Sequence, residues 1–479
     1  MAKEQETTSI LDRLPGDKVV WIIVSMLCII SLVSIFSSTS QLAAQDGVSR
    51  VEIARDQLLT ILGGLALIFA CCMVNNIKLF QKVSKWGLLF SLILLIPLAL
   101  KVDTPFLKAV YKNGAYRWLR VFGISFSVFE IVKVAMVMYL SWAIEHVRHD
   151  KLKWLDNLAR MDHFSWVASP LWKDITYLFV PTAIVSVLTL KGSNSTAMMT
   201  AGCLFLTMLV GRVKFKHIFV MGMMTICVFL SCFGLYQLTK NTDHVLFERI
   251  GTAISRSKGL DDYIQDVENS QKKDQNYYDS LDRIRQPYGA KIAIKEGGPF
   301  GKGPGQSTQK YKVSVMYEDY MFSFLVEEYG LWMAVLVLVL YLSLLARGAL
   351  IIDHCKNDFA KIAVAGLCIL ISGQAIFHIV INCDVGILTG QTLPMISHGR
   401  TSFLAFCIAF GIILSISRIS EKGLAGQEKS EESLLALSDD EIRAHYEIDV
   451  RRFWGDKTEI PIGSVRVSDS DGAQRFFAD

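Results

Sequence analysis

The first long apolar run of the chain reads VVWIIVSMLCIISLVSIFSS and covers residues 19–38. No charged residue interrupts positions 19–45, and similar uncharged stretches recur at 57–77, 192–211, 218–239 and 362–383. An apolar helix needs about 20 residues to cross the hydrocarbon core of a bilayer, where backbone groups find no water. Each stretch is therefore predicted to be a membrane-spanning helix.

The composition of the whole chain agrees with a multi-spanning membrane protein. Apolar residues make up 52% of the 479 residues, and charged residues make up 20%, against about a quarter in soluble proteins. The net charge of +4 comes without the concentrated basic face that nucleic-acid binding requires. The ten cysteines show no metal-ligand spacing. Acidic residues precede the first apolar run and no Ala-x-Ala site follows it, so we interpret the run as a span and not as a cleaved signal peptide.

We predict an all-α polytopic membrane protein with ten transmembrane helices. The expected spans are 19–38, 57–76, 84–101, 123–144, 174–190, 193–211, 218–238, 320–346, 362–382 and 401–418. A short cytoplasmic segment, 1–18, precedes this ten-helix domain, 19–418. Residues 239–318 form a long extracytoplasmic loop between helices seven and eight. Residues 419–479 form a cytoplasmic tail, in which a capping box at Ser438 predicts a short helix over 438–454.

The orientation follows from lysine and arginine in short loops, which favour the cytoplasm. With the N-terminus in the cytoplasm, the short inward loops hold 14 basic residues and the short outward loops hold nine. The outward loop 101–122 is an exception, with five basic residues and only one acidic residue. Two explanations of this cluster stay open: an anionic ligand, or a solvated face that touches lipid phosphates.

Ionisable groups at membrane depth are costly and often functional. Glu130 and Lys133 share one face of the fourth span, three residues apart, and can pair either in a functional site or as a structural lock. Asp319 lies where the long outer loop meets the eighth span, followed by Glu327 and Glu328. A carboxylate in such a partly dry place suits a general base, although an Asp at a helix start is more often a cap.

Two further segments are unusual for loops of a membrane protein. The glycine-rich run 297–305 does not have the spacing of a phosphate-binding loop, so we expect its glycines to form tight turns. The outward segment 382–402 contains many polar and small residues, which indicates a lined cavity. Broken backbone at membrane depth is tolerated only where it is buried or lines water.

These segments resemble one family, the SEDS proteins (shape, elongation, division and sporulation), which are peptidoglycan glycosyltransferases typified by RodA and FtsW. The similarity runs in order from about residue 18 to 418. The motifs that carry it are Asn113–Trp118 (N-G-A-Y-R-W), Phe126 with Glu130 and Lys133, Ile292–Gln306, Asp319–Gly330 (D-Y-M-F-S-F-L-V-E-E-Y-G), Gly373–Ala375, Thr389–Gly390 and Leu393–Ser402 (L-P-M-I-S-H-G-R-T-S).

The chain also departs from the family pattern at several positions. Val128 and Phe129 stand where the family has Pro-Ser. Residues 191–197 read K-G-S-N-S-T-A where the family often has Q-P-D-x-G-T-A. His398 and Arg400 replace Tyr and Gly, and this form resembles the division-type FtsW branch more than RodA.

The resemblance implies polymerisation of lipid II, a disaccharide-pentapeptide on undecaprenyl diphosphate, into β-1,4 glycan strands at the outer face of the bacterial cytoplasmic membrane. An α-linked donor and a β-linked product imply inversion in one displacement, which needs a base for the acceptor hydroxyl and cations for the departing diphosphate. By this resemblance Asp319 is the base, or else helps to hold a metal. The expected substrate- and diphosphate-binding residues are Arg117, Arg120, Lys112, Glu130, Lys133, Ser397, His398, Arg400, Thr401 and Ser402.

The resemblance further implies a class B penicillin-binding protein as the partner that cross-links the new glycan, together with other membrane proteins of the division complex. No cofactor is certain from the sequence, and a divalent cation, Mg²⁺ or Mn²⁺, stays open. Two other functions are compatible with a polytopic chain: a flippase for lipid-linked precursors, which needs no base, and a non-catalytic scaffold for division enzymes.

Overall fold

Helices dominate the computed structural model, which describes residues 14–112, 115–151, 169–223, 275–313, 315–385 and 390–435. Residues 215–223 are also helical, at the edge of a described range. The helices are α1 Lys18–Ser38, α2 Ser40–Asp46, α3 Arg50–Cys72, α4 Ile77–Ser84, α5 Gly87–Ala99, α6 Val128–Arg148, α7 Pro170–Leu190, α8 Asn194–Val210, α9 Gln275–Gly297, α10 Met321–Tyr329, α11 Leu331–His354, α12 Asp358–Asn382 and α13 Arg400–Leu435.

Within the described residues, six helices are long and apolar enough to cross a membrane: α1, α3, α7, α11, α12 and the Arg400–Gly423 part of α13. The pair α4 and α5 meets the same criteria together but is bent by 40°. Helix α8 is apolar but has only 17 residues, and α6 includes four charged residues. The chain is therefore a polytopic helical membrane protein, as predicted.

Several predicted boundaries are wrong in detail. The third span, 84–101, is the bent pair, and the eighth, 320–346, is broken into α10 and α11 at Gly330, whose φ is 81°. The tenth helix does not stop at 418 but continues to Leu435. Only residues 218–223 of the seventh span are described, and they are helical. The predicted helix at 438–454 lies outside the described residues.

The prediction of an all-α protein misses a small sheet between α5 and α6. Strands β1 (Leu107–Lys112), β2 (Ala115–Val121) and β3 (Ile124–Ser127) pair antiparallel in the order β1-β2-β3. The turn between β2 and β3 has φ values of 47° at Phe122 and 87° at Gly123, as in the type I′ turns that favour two-residue hairpins. Because β3 occupies 124–127, α6 begins at Val128 and not at 123.

The best-buried helices surround the polar residues described below. In the 18-residue apolar part of α12, 67% is buried inside the protein, against 33% in the corresponding part of the neighbouring α11. Helices α6, α8 and α12 pack against one another. The chain divides into two compact units, residues 1–421 and 422–479, and the described part of the second unit, 422–435, is helical.

Candidate active site

Asp319 lies just before α10, partly buried, and its backbone is held on both sides. Its amide donates to the carbonyl of Val315 at 3.0 Å, and its carbonyl accepts from Asn382 Nδ2 at 3.1 Å. The N-cap residue of α10 is Tyr320, which makes no side-chain cap bond. Asp319 therefore lies one residue before the N-cap position of α10.

The carboxylate of Asp319 packs against the backbone of Gly390. A Cβ atom placed on Gly390 would lie 2.7 Å from Asp319 Oδ2 and 3.2 Å from Cγ. Such a distance is closer than van der Waals contact allows, so only glycine permits this approach. Two motifs that are 71 positions apart in the sequence thus meet at one point.

Glu130 and Lys133 form the predicted pair on α6. Lys133 Nζ lies 2.8 Å from Glu130 Oε2, and the lysine side chain is only 1% exposed. The same ammonium donates to Gln374 Oε1 at 2.5 Å, and Gln374 Nε2 donates to the Thr392 carbonyl at 3.0 Å. The pair therefore connects α6 through α12 to the segment 390–394, next to the Asp319 carboxylate.

Three buried polar residues of α12 lie one turn apart on one face, and we call them the α12 stripe: Gln374, His378 and Asn382. His378 Nδ1 lies 2.6 Å from the Gln391 carbonyl, and its Nε2 accepts from the Phe322 amide at 3.3 Å. Asn382 contacts both Asp319 and Ser323. Sequence reasoning missed His378, although polar residues at 374, 378 and 382 in an apolar helix have the spacing of one helix face.

Polar groups hold the segment Leu393–Ser402 in place. Ser397 Oγ donates to the Glu318 carbonyl at 2.7 Å and accepts from the Leu393 amide at 2.9 Å. The His398 amide donates to the Tyr317 carbonyl at 2.9 Å, and the two rings meet edge to face at 5.7 Å. Ser397 and His398 thus hold the turn that precedes Asp319. At the start of α13, Ser402 Oγ lies 3.2 Å from Thr392 Oγ1, and Thr401 is partly exposed.

The sheet separates the basic residues that the sequence groups together. Successive residues of a strand point to opposite faces, so Arg117 shares a face with the buried Leu119, whereas Arg120 lies on the other face. Arg117 Nε donates to the Gly192 carbonyl at 3.4 Å. Arg120 is exposed and donates to Ser125 Oγ at 3.0 Å. The side chain of Lys112 and the whole of Asn113, Gly114 and Thr389 lie outside the described residues.

Arg400, at the start of α13, already has an acidic partner. Its Nη2 lies 2.6 Å from Asp56 Oδ2 on α3, with 65% of the arginine side chain exposed. A second pair, Lys291 of α9 with Asp384, lies just beyond the end of α12. Lys291 is a basic residue near the site that sequence reasoning did not select.

Glu327 and Glu328 hold the glycine-rich loop against α10. Glu327 is fully buried and accepts from Lys302 Nζ at 2.8 Å and from the Thr308 amide at 2.9 Å. Glu328, also fully buried, accepts from Ser37 Oγ at 2.5 Å and pairs with Lys310 at 3.2 Å. Burial alone would lower the pKa of Lys302, but hydrogen bonds to Glu296 and Glu327 raise that pKa above its ordinary value.

The loop itself has the tight turns that the sequence predicts. Gly301 has φ of 76° and Gly330 has φ of 81°. A Cβ atom on Gly330 would lie 2.3 Å from the Pro299 carbonyl oxygen. Two backbone segments thus cross at a distance that side chains would prevent, and this crossing breaks the predicted eighth span.

Among the described residues, no group of three His, Cys, Asp or Glu side chains is arranged to hold a metal ion. Asp319 by itself offers one carboxylate, and Mg²⁺ usually takes one or two carboxylates, substrate phosphates and waters. The described residues therefore do not form a cage that would hold a metal ion by protein ligands alone.

A family model described as FtsW/RodA/SpoVE, cell cycle protein, matches residues 17–422. A probable peptidoglycan glycosyltransferase FtsW of Bacillus subtilis is 26% identical over 399 residues, which cover 82% of this chain and 88% of that protein. One from Marinomonas mediterranea is 24% identical and covers 88% and 95%. One from Caulobacter vibrioides is 35% identical, but only over 126 residues, or 26% of this chain and 32% of that protein.

Solved structures show the same fold. A chain from a peptidoglycan synthase complex that coordinates polymerization and crosslinking has a TM-score of 0.58 at 19% identity and covers 85% of this chain and 99% of that one. A point mutant of the Thermus thermophilus rod shape determining protein RodA has a TM-score of 0.51 at 18% identity and covers 85% and 98%. The family resemblance seen in the motifs is confirmed, and the chain belongs to the FtsW/RodA/SpoVE family of cell cycle proteins.

Proposed function

We propose that this chain, a peptidoglycan glycosyltransferase of the FtsW/RodA/SpoVE family, polymerises lipid II into β-1,4 glycan strands for septal wall synthesis, with Asp319 as its general base. The observation that carries the assignment of the base is the contact between the Asp319 carboxylate and Gly390. It places a partly buried acid where the loop before α10, the segment 390–394 and the α12 stripe meet.

The reaction that we assign to this site is one displacement. The acceptor hydroxyl oxygen attacks the anomeric carbon of the donor sugar as the bond from that carbon to the diphosphate oxygen breaks. The hydroxyl proton passes to the Asp319 carboxylate, and the undecaprenyl diphosphate leaves with the bonding electron pair. The configuration inverts from α to β because the acceptor attacks the face opposite to the leaving group. General-base help typically contributes about 10²–10⁴-fold to such a rate.

The departing diphosphate needs positive charge, and Arg117 is the first candidate. A guanidinium presents a rigid fork of donors that matches phosphate oxygens, and Arg117 lies on the sheet face that packs inward. Arg120 and Arg400 are more exposed, and Arg400 is paired with Asp56, so we rank them below Arg117, together with Lys112. A divalent cation, if one takes part, would neutralise the same diphosphate.

Glu130 and Lys133 order the wall of the site in this proposal. The ammonium of Lys133 pairs with Glu130 and donates a hydrogen bond to Gln374. Because these partners already engage it, we assign its main role to positioning the segment 390–394 through Gln374, and a lesser role to binding substrate. Ser397 and His398 have a comparable role at the turn before Asp319, and Thr401 and Ser402 stay in the set of substrate-binding residues.

Ten spans with the N-terminus in the cytoplasm complete the proposal. We count the six apolar helices, the bent pair, α6 and α8 as nine spans, and we assign the tenth to the stretch that begins with the helical residues 215–223. This topology puts Asp319 and the loop 239–318 on the outer side of the cytoplasmic membrane and the segments 1–18 and 419–479 in the cytoplasm. A class B penicillin-binding protein is the proposed partner, by analogy with the synthase complex.

Polymerisation of lipid II by the purified chain with a class B penicillin-binding protein, with and without a chelator, tests this function. Asp319→Asn should fold normally and lose polymerisation, because the amide cannot accept the hydroxyl proton. Asp103→Asn is a matched control, since Asp103 is exposed and pairs with the exposed Lys108. Glycan of wild-type length from Asp319→Asn would overturn the assignment of the base, and lipid II transport without polymerisation by the wild type would favour a flippase.

A further inference from the structure

We propose that His378 and Asn382 are positioning residues that fix the Asp319 carboxylate for catalysis by capping α10 from another helix. The proposal rests on Asp319 being the base. A helix begins with backbone amides that have no partner inside the helix, and these are usually capped by the side chain of the N-cap residue. Tyr320 occupies that position in α10 and makes no such bond.

The two missing caps come from α12. The second and third residues of α10 are Phe322 and Ser323, whose amides are the ones that a cap normally receives. The Phe322 amide donates to His378 Nε2 at 3.3 Å. The Ser323 amide donates to Asn382 Oδ1 at 3.1 Å. Two amides of the first turn of α10 are therefore held by side chains of α12.

Asn382 extends this hold to Asp319 itself. Its Nδ2 donates to the Asp319 carbonyl at 3.1 Å and to the His378 carbonyl at 2.9 Å. Its Oδ1 accepts from the amide of Ser323 and also from Ser323 Oγ at 2.8 Å. The amide oxygen and nitrogen are thus each committed twice, and reversing the side chain would place donors against donors. Asn382 is 2% exposed, so water cannot replace these bonds readily.

His378 connects the same turn to the other side of the carboxylate. Because Nε2 accepts from Phe322, the proton of the neutral ring lies on Nδ1, which donates to the Gln391 carbonyl at 2.6 Å. Gln391 follows Gly390, whose backbone touches the Asp319 carboxylate. His378 therefore contacts both the first turn of α10 and the segment beside the carboxylate, and the capping bond to Phe322 is the one that this proposal assigns to positioning.

The two bonds of His378 can be separated by substitution. Asparagine reaches only the position of Nδ1 and keeps a donor to Gln391, whereas glutamine reaches the position of Nε2 and keeps an acceptor for Phe322. His378→Gln should retain kcat within about threefold, and His378→Asn should lose at least tenfold, since only the Phe322 bond caps α10. For Asn382, Asn382→Asp removes the donor to Asp319 and should also lose at least tenfold. The matched control is Ser372→Ala, which removes a buried hydrogen bond from α12 to the Tyr341 carbonyl outside this network and should stay near wild type.

The full chain in nanodiscs is used for all measurements. The kcat for lipid II polymerisation is measured with Asp319 intact and is expressed per lipid II-binding site. The number of sites and the Kd for lipid II come from the same substitutions in the Asp319→Asn background, where substrate is not consumed. We expect unchanged site number, a Kd within about twofold of the parent, and a reduced kcat for His378→Asn and Asn382→Asp.

Each other outcome identifies which assignment fails. If Asp319→Asn polymerises normally, the base is wrong and the positioning proposal falls with it. If Asp319→Asn is inactive while His378→Asn and Asn382→Asp have wild-type kcat, the base stands and the positioning proposal is overturned. Loss of binding sites or of affinity in step with kcat, or no advantage of His378→Gln over His378→Asn, would show a general structural role and also overturn it.

Discussion

The absence of a side chain at Gly390 decides how close the backbone and the Asp319 carboxylate can come. Gly390 itself is exposed, so nothing in the core requires it to be small. What does require it is Asp319, whose Oδ2 lies 2.7 Å from the place that a Cβ atom would occupy. Substitution here should therefore affect chemistry more than folding.

Gly390→Ala tests this separation of activity from stability. The new methyl group must push the Asp319 carboxylate aside by a sizeable fraction of an ångström, and misplacement by about 1 Å can cost about 100-fold in rate. We expect a fall of that order in polymerisation with an unchanged melting temperature in detergent. Gly202→Ala on α8 is the control, because a Cβ atom there meets nothing within 4 Å. Wild-type activity of Gly390→Ala would mean that the carboxylate is not held against this backbone during the reaction.

At the same scale, the sequence reveals some site residues and hides others. Asp319, Glu130 and Lys133 are recognisable because each lies in a motif of unusual polarity for its position. His378 is not, since a single histidine in an apolar helix is usually a satisfied core residue. The role that we propose for it depends on the structure, in which the Phe322 amide and the Gln391 carbonyl both contact its ring.

At the scale of elements, local breaks in regular structure are what bring the motifs together. Gly330 divides the predicted eighth span, so α10 is a short, separate helix that Glu327 and Glu328 tie to the glycine-rich loop. Hydropathy predicts the apolar stretch but not the break, because the break depends on the crossing of two backbones at Gly330 and Pro299. The sequence also does not predict the sheet. Its strands are only four to seven residues long, and their basic residues are more typical of a loop.

Glu327 of α10 and Glu296 of α9 offer a matched comparison. Both carboxylates pair with Lys302, but the Glu327 side chain is 0% exposed and that of Glu296 is 43% exposed. Replacing a buried, charge-assisted acceptor costs on the order of 2–3 kcal/mol, whereas exposed ion pairs contribute little. Glu327→Gln should lower the melting temperature of the purified protein clearly, and Glu296→Gln should leave it near wild type. Equal effects from both substitutions would contradict the assignment of Glu327 as the anchor of the loop.

At the scale of the whole molecule, charge distribution and helix packing make separate contributions. Lysine and arginine in short loops predict the orientation, and the five basic residues of the loop 101–122 run against that prediction. The sheet divides this cluster: Arg117 and Arg120 occupy opposite faces of β2, so one loop presents its charge in two directions. Sequence could predict the cluster but not its division, because the division needs the strand register.

Orientation can be measured directly at the two ends of α12. Its 25 residues make it about 37 Å long, enough to place its ends on opposite sides of a bilayer. Cys383, just beyond the Asn382 end, is exposed, and Lys356, just before the other end, is exposed as well. A membrane-impermeant maleimide should label Cys383 in intact spheroplasts, and Cys383→Ser should remove that signal. The Lys356→Cys variant in the Cys383→Ser background should react only after the membrane is permeabilised. The reverse pattern would place Asp319 in the cytoplasm, where the lipid II polymerisation proposed for the outer face could not occur.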